Sequence, residues 1–143
     1  MVHLVSDYFD IESERTQRHA EQLAWTKEQI LLHQGEFDSI VLIGHSPPSA
    51  LNKDFFNSKV GGISVTIRDL GIPAVYIHGS GHQFVEEEEF NDLDNFLRIQ
   101  VPGRMAPPVK VTIENANNFS FDFRDDTTTT ECCEEGWTYT SSG

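Results

Sequence analysis

Ala74-Val75-Tyr76-Ile77-His78-Gly79-Ser80-Gly81-His82 and, upstream, Ser39-Ile40-Val41-Leu42-Ile43-Gly44-His45-Ser46-Pro47-Pro48 are the stretches that decide the fold. Each opens with a run of β-branched and aromatic residues that is apolar on both faces, the signature of a strand buried on both sides. Each then breaks at glycine beside histidine. Two prolines forbid a regular ladder after the first run.

Working outward, a long helix is expected from about Glu12 to His33. Ala20, Leu23, Ala24, Ile30 and Leu31 form its apolar face. Asp10 or Ser13 can cap its start, and Gly35 stands where a terminating glycine belongs. Residues 2–5 read as a short strand. Between the two buried strands, a short helix is predicted over 52–60 and a second over 62–70, closed by Gly71 and Pro73. Strand, loop, helix and strand in this order imply parallel strands joined by helical crossovers.

After residue 84 the pattern changes. Glu86 to Glu89 is a run of four carboxylates, read as a solvated acidic loop. Residues 95–101, 109–114 and 119–123 read as strands with little helix between them. Leu97, Ile99 and Val101 alternate with Arg98 and Gln100, which predicts a half-exposed antiparallel strand. The fold class expected is α/β, a mixed sheet flanked by helices. Residues 1–124 form the domain, and 125–143 an acidic, Thr- and Cys-containing tail or arm.

The chain's 143 residues suit one domain. A chain of that size buries roughly 70% of its unfolded surface. The net charge of −13 disfavours a nucleic-acid backbone as partner. No apolar run approaches the roughly 18 residues of a membrane span. Met1 to Asp7 has no basic region followed by an apolar one, so it is not read as a signal peptide. Cys132 and Cys133 are adjacent and cannot staple a fold within this chain. They are either free thiols or links to another segment. With the sequon at Asn118-Phe119-Ser120, they lean toward a secreted, extracellular setting.

Chemistry is expected at the two histidine-bearing loops, because ligands bind beyond the carboxyl ends of strands in open α/β sheets. Neutral imidazole is a common ligand for zinc, iron and related metals. His78 ends a buried strand and is expected in the core or just behind any ligands. His3, His19 and His33 are given no metal role.

Gln22-Leu23-Ala24-Trp25, then the strand ending Gly44-His45-Ser46-Pro47, then the strand ending His78-Gly79-Ser80-Gly81-His82, resemble the C-terminal half of calcineurin-like metallophosphoesterases. That family has a helix bearing Gln-Leu-x-Trp, a strand ending in Gly-His, and a strand ending in Gly-His-x-His. The resemblance covers roughly residues 2–124. It implies half of an α/β/β/α sandwich, phosphate-ester hydrolysis, and a centre of divalent or trivalent Fe, Mn or Zn.

Carried over, His45 matches the Gly-His ligand and His82 the last histidine, with Ser80 where the first should stand. A second register puts His82 first and Phe84 second. Either register loses one ligand. The family's Asp-x-His, Gly-Asp-x-x-Asp and Gly-Asn-His motifs do not occur in this sequence. Two-metal hydrolysis needs both ions clamped on the reacting oxygens. The chain is therefore expected to be incompetent alone. Its implied partner is a missing N-terminal half or another protein chain, with assembly through the tail as a further route. The alternative is a degenerate, non-catalytic structural or assembly subunit on the same fold.

Overall fold

The computed structural model describes residues 3–4, 12–49, 52–59, 61–87, 90–103, 108–115 and 118–123. Its elements are β1 (His3–Leu4), α1 (Glu12–Leu32), β2 (Ile40–Gly44), α2 (Ile63–Leu70), β3 (Ala74–His78), β4 (Val85–Glu87), a 3₁₀ turn (Phe90–Asp92), β5 (Phe96–Gln100), β6 (Val109–Asn115) and β7 (Asn118–Phe123). The fold is mixed α/β: a five-stranded mixed sheet in the order β1-β2-β3-β5-β4, a separate β6-β7 hairpin, and two helices.

β1, β2, β3 and β5 run parallel, and only β4 is antiparallel, on the outer side of β5. The antiparallel strand expected over 95–101 is met on one side only, where β5 pairs with β4. β5 lies inside the sheet, parallel to β3, and its polar Arg98 and Gln100 are held by partners rather than by solvent. The acidic run is corrected as well. Glu86 and Glu87 belong to strand Val85–Glu87, which pairs with β5, and the Glu87 carboxylate accepts from Arg98 Nη1 at 2.6 Å across that ladder; Glu88 and Glu89 lie outside the described residues.

Strand residues alternate between faces. One face carries Ile40, Leu42, Ala74, Tyr76 and Phe96. These join Ile30 of α1, Ile63 and Ile67 of α2, and Phe55, Phe56 and Phe90 in one buried cluster. Phe56 is its hub, with ring centroids 4.7 Å from Tyr76, 5.0 Å from Phe55 and 5.7 Å from Phe90. Such aromatic pairs add roughly 0.5–1.5 kcal/mol each beyond area burial. The other face carries Val41, Ile43, Val75, Ile77, Leu97 and Ile99. Val75 and Ile99 are fully buried there, and the other four half-buried.

α1 presents a different stripe from the one predicted. His19, Thr26 and Ile30 are buried and Leu23 half-buried, whereas Ala20, Ala24 and Leu31 are exposed. The helix is rolled by about one residue. Thr26 tolerates burial because its hydroxyl donates to the Gln22 carbonyl at 2.7 Å.

No helix forms over the described part of 52–60. Asn52 bridges the chain to itself, its Oδ1 accepting from Ser49 N–H at 2.7 Å and its Nδ2 donating to the Pro47 carbonyl at 3.0 Å. Asn57 Oδ1 accepts from Lys59 N–H. Asparagine competes in this way with helical bonding. α2 starts at Gly62, where a Cβ would stand 2.3 Å from the Asn57 carbonyl oxygen, so only glycine lets the segment pass. It ends at Gly71, in the left-handed conformation that glycine adopts without steric cost.

β6 and β7 pair Val109, Val111 and Ile113 with Phe123, Phe121 and Phe119, and Lys110 and Thr112 with Asp122 and Ser120. The hairpin therefore has one apolar and one polar face. The tail expected at 125–143, with Cys132 and Cys133, lies outside the described residues. No helix among the described residues is long and apolar enough to cross a membrane.

Candidate functional site

In-register parallel pairing lines up the carboxyl ends of three strands: Gly44 lies beside His78, and His78 beside Gln100. The loops that follow therefore leave from one edge. They are His45 to Pro48, Gly79 to Phe84, and Val101 to Gly103. Both predicted ligand loops stand at that edge.

His78 forms the floor. It is 1% exposed and stacks on Tyr76 at a ring-centroid distance of 5.2 Å. Both ring nitrogens are engaged. Nδ1–H donates to the Gly79 carbonyl at 3.1 Å, and Nε2 accepts from Arg98 Nε–H at 2.9 Å. An accepting Nε2 means a neutral ring. Burial lowers the pKa from 6.5 to about 4. The Arg98 guanidinium and His45 push the same way, against the Gly79 carbonyl and Glu87. With no free nitrogen, His78 supports the edge and ligates nothing. Tyr76 on the same face donates its hydroxyl to the Ser46 carbonyl at 2.5 Å, tying the β2 loop to β3.

The loop after β3 is strained. Gly81 N–H bonds the Gly79 carbonyl at 2.9 Å around Ser80, whose φ is +65°, and His82 has φ +55°. A three-residue turn with positive φ is the rarer of the two forms. Non-glycine residues in this region cost of order 1–3 kcal/mol and cluster at functional sites. The loop is pinned from beneath. Gln100 Nε2 donates to the Gln83 carbonyl at 2.9 Å, and a Cβ on Gly81 would strike the Gln100 amide at 2.3 Å.

His82 is exposed and its ring lies against Gly103, where a Cβ would stand 2.4 Å from Nδ1. His45 is exposed too, with Nδ1 3.8 Å from where a Cβ on Gly79 would lie. Neither imidazole is hydrogen-bonded among the described residues. Ser80 and Phe84, the positions at which one register or the other loses a ligand, are both half-buried.

Among the described residues no three His, Cys, Asp or Glu side chains come together as a metal site. Two exposed imidazoles at one sheet edge fit a contribution of two ligands. They do not fit a complete two-metal centre, so no hydrolytic step is derived through one.

The residues that sequence reasoning passed over are Arg98, Gln100 and Gly103. The first two read only as the polar half of an alternating strand. An arginine and a glutamine inside an otherwise buried strand were the available signal, since such groups need internal partners.

Comparison of the chain with family models, with curated proteins and with solved structures returns no match.

Proposed function

We propose that the chain is the C-terminal portion of a calcineurin-like metallophosphoesterase, half of its sandwich, in which phosphate-ester hydrolysis requires further ligands from another polypeptide segment. His45 and His82 are the metal-facing groups, for Fe, Mn or Zn. His78 and Arg98 hold the floor beneath them. The observation that carries the reading is the parallel register of β2 and β3, which brings Gly44-His45 and Gly79–His82 to one edge with both imidazoles unengaged among the described residues. A metal held there by His45, His82 and ligands from the other segment would supply Lewis-acid polarisation and an activated water. This chain's part is to present two imidazoles from loops braced by Tyr76, Gln100 and Gly103.

The second reading is a non-catalytic structural or assembly subunit on the same fold. Ser80 favours it, since a hydroxyl stands where the family places an imidazole.

The test is an NMR titration of the chain with Zn²⁺, following each histidine ring, beside an assay of p-nitrophenyl phosphate hydrolysis. The rings of His45 and His82 are expected to shift together, His45→Ala is expected to abolish the His82 response, and the chain alone is expected not to hydrolyse the ester. A His82 shift that persists in His45→Ala, or turnover by the chain alone, sinks the first reading. No shift at either ring selects the second.

A further inference from the structure

Residues from 48–49 and 52–59, between β2 and α2, line an open cleft of about 560 Å³ whose far side carries Asn91. The size falls in the range of small-molecule sites, roughly 300–1,000 Å³. Its lining inverts the charge of the molecule. In a chain of net charge −13, the cleft brings Lys53 and Lys59 together against a single carboxylate, Asp54.

Four of the other described cations are engaged elsewhere, Arg18 with Glu14, Arg68 with Asp69, Arg98 with Glu87 and Lys27 with the Gly61 carbonyl, whereas Arg15 and Lys110, which line no part of the cleft, are not so paired among the described residues. The ammonium groups of Lys53 and Lys59 have no partner among the described residues. The walls are built rather than loose. Asn52 ties Ser49 to Pro47, the Asn57 side chain accepts the Lys59 amide, and Asn91 donates to the Phe56 carbonyl at 2.7 Å and to Ser64 Oγ at 2.8 Å.

A polar cleft of this kind suits a charged ligand better than an apolar one. Its cations are lysines, with no arginine in the lining. Ammonium groups act as point charges and favour an anion that concentrates its charge on one group, as phosphate does and a carboxylate does less, whereas the guanidinium fork serves carboxylate and phosphate alike. We propose that this cleft binds a small phosphorylated molecule, with Lys53 and Lys59 on the phosphate. The site needs no metal and none of His45, His78 and His82 lines it, so its test is separate from that of the phosphoesterase reading.

Calorimetric titration of the whole chain with inorganic pyrophosphate, chelator present, tests it. One saturable site is expected. Lys53→Gln and Lys59→Gln should each weaken binding about tenfold, the order expected for one lost charge-assisted contact. Lys110→Gln, on the β6-β7 hairpin, should leave it within about twofold, and citrate should bind about tenfold more weakly. The proposal is overturned by absence of saturable binding, by full affinity in either cleft variant, by an equal loss in Lys110→Gln, or by citrate matching pyrophosphate.

Discussion

His78 and His82 stand four residues apart, one at the end of β3 and one in the loop beyond it, in opposite surroundings. His78 is buried, ordinary in backbone, and bonded at both nitrogens. His82 is exposed, held at positive φ, and its ring has no hydrogen bond among the described residues. At the first position the imidazole is spent on the fold, because a buried polar ring must satisfy its nitrogens or destabilise the core. At the second, the fold is strained to present a ring. Residue type alone does not distinguish these roles. The partners that arrive from β5 and the loop after it do: Arg98 for His78, and Gly103 for His82.

The comparison breaks most visibly if the strand end proves dispensable. Tyr76 is fully buried, packs on Phe56 and His78, and holds the Ser46 carbonyl. Tyr76→Ala is expected to cost about 3–5 kcal/mol, as large-to-small aromatic core changes do. Urea unfolding measures it. A loss below about 1 kcal/mol would mean that β3 does not anchor this sheet.

The next effect is set by pH. His78 has a pKa of about 4 when folded, against 6.5 ordinarily. Between those values the unfolded chain binds the proton and the folded chain does not. Stability present above pH 6.5 is therefore lost as pH falls toward 4. The gap is worth about 3 kcal/mol. Unfolding of wild type and His78→Gln at pH 7 and pH 4.5 isolates the contribution from the carboxylates, which both proteins share. The wild type should lose more on acidification. Equal losses would show that His78 is not held neutral.

This contrast also marks what the sequence conveyed. β2, β3 and α2 were legible because their signals are local: apolar runs of strand length, and Gly71 at a helix end. The two histidine-bearing loops were legible as glycine–histidine breaks after those strands. The position of β5 was not. Its alternation fits a half-exposed antiparallel strand, as its pairing with β4 is, but its place inside the sheet depends on pairing with β3 twenty-two residues earlier in chain register. The stripe on α1 shifted because Thr26 can bury its hydroxyl on its own helix, which a hydrophobicity pattern does not record. The region over 52–60 misled through Asn52 and Asn57, whose side chains bond to neighbouring backbone and favour turns over helix. The state of His78 was hidden for the same reason as β5: its partner, Arg98, is distant in sequence.

The smallest expected effect is the sharpest test of the loop side. Gly103 has no positive φ, so its glycine answers to space rather than to backbone conformation. A Cβ there would stand 2.4 Å from His82 Nδ1 and 3.1 Å from Cε1. The obstacle is an exposed ring that can swing into solvent, not fixed backbone. Gly103→Ala should therefore cost less than about 1 kcal/mol, in the range of surface changes, while displacing the His82 imidazole. Ring resonances of His82 should move and those of His78 should stay. A cost above about 2 kcal/mol would make the seat on Gly103 a structural contact and erase the difference between the two histidines. An unmoved His82 would mean that the loop after β5 does not position that ring, and that its availability owes nothing to Gly103.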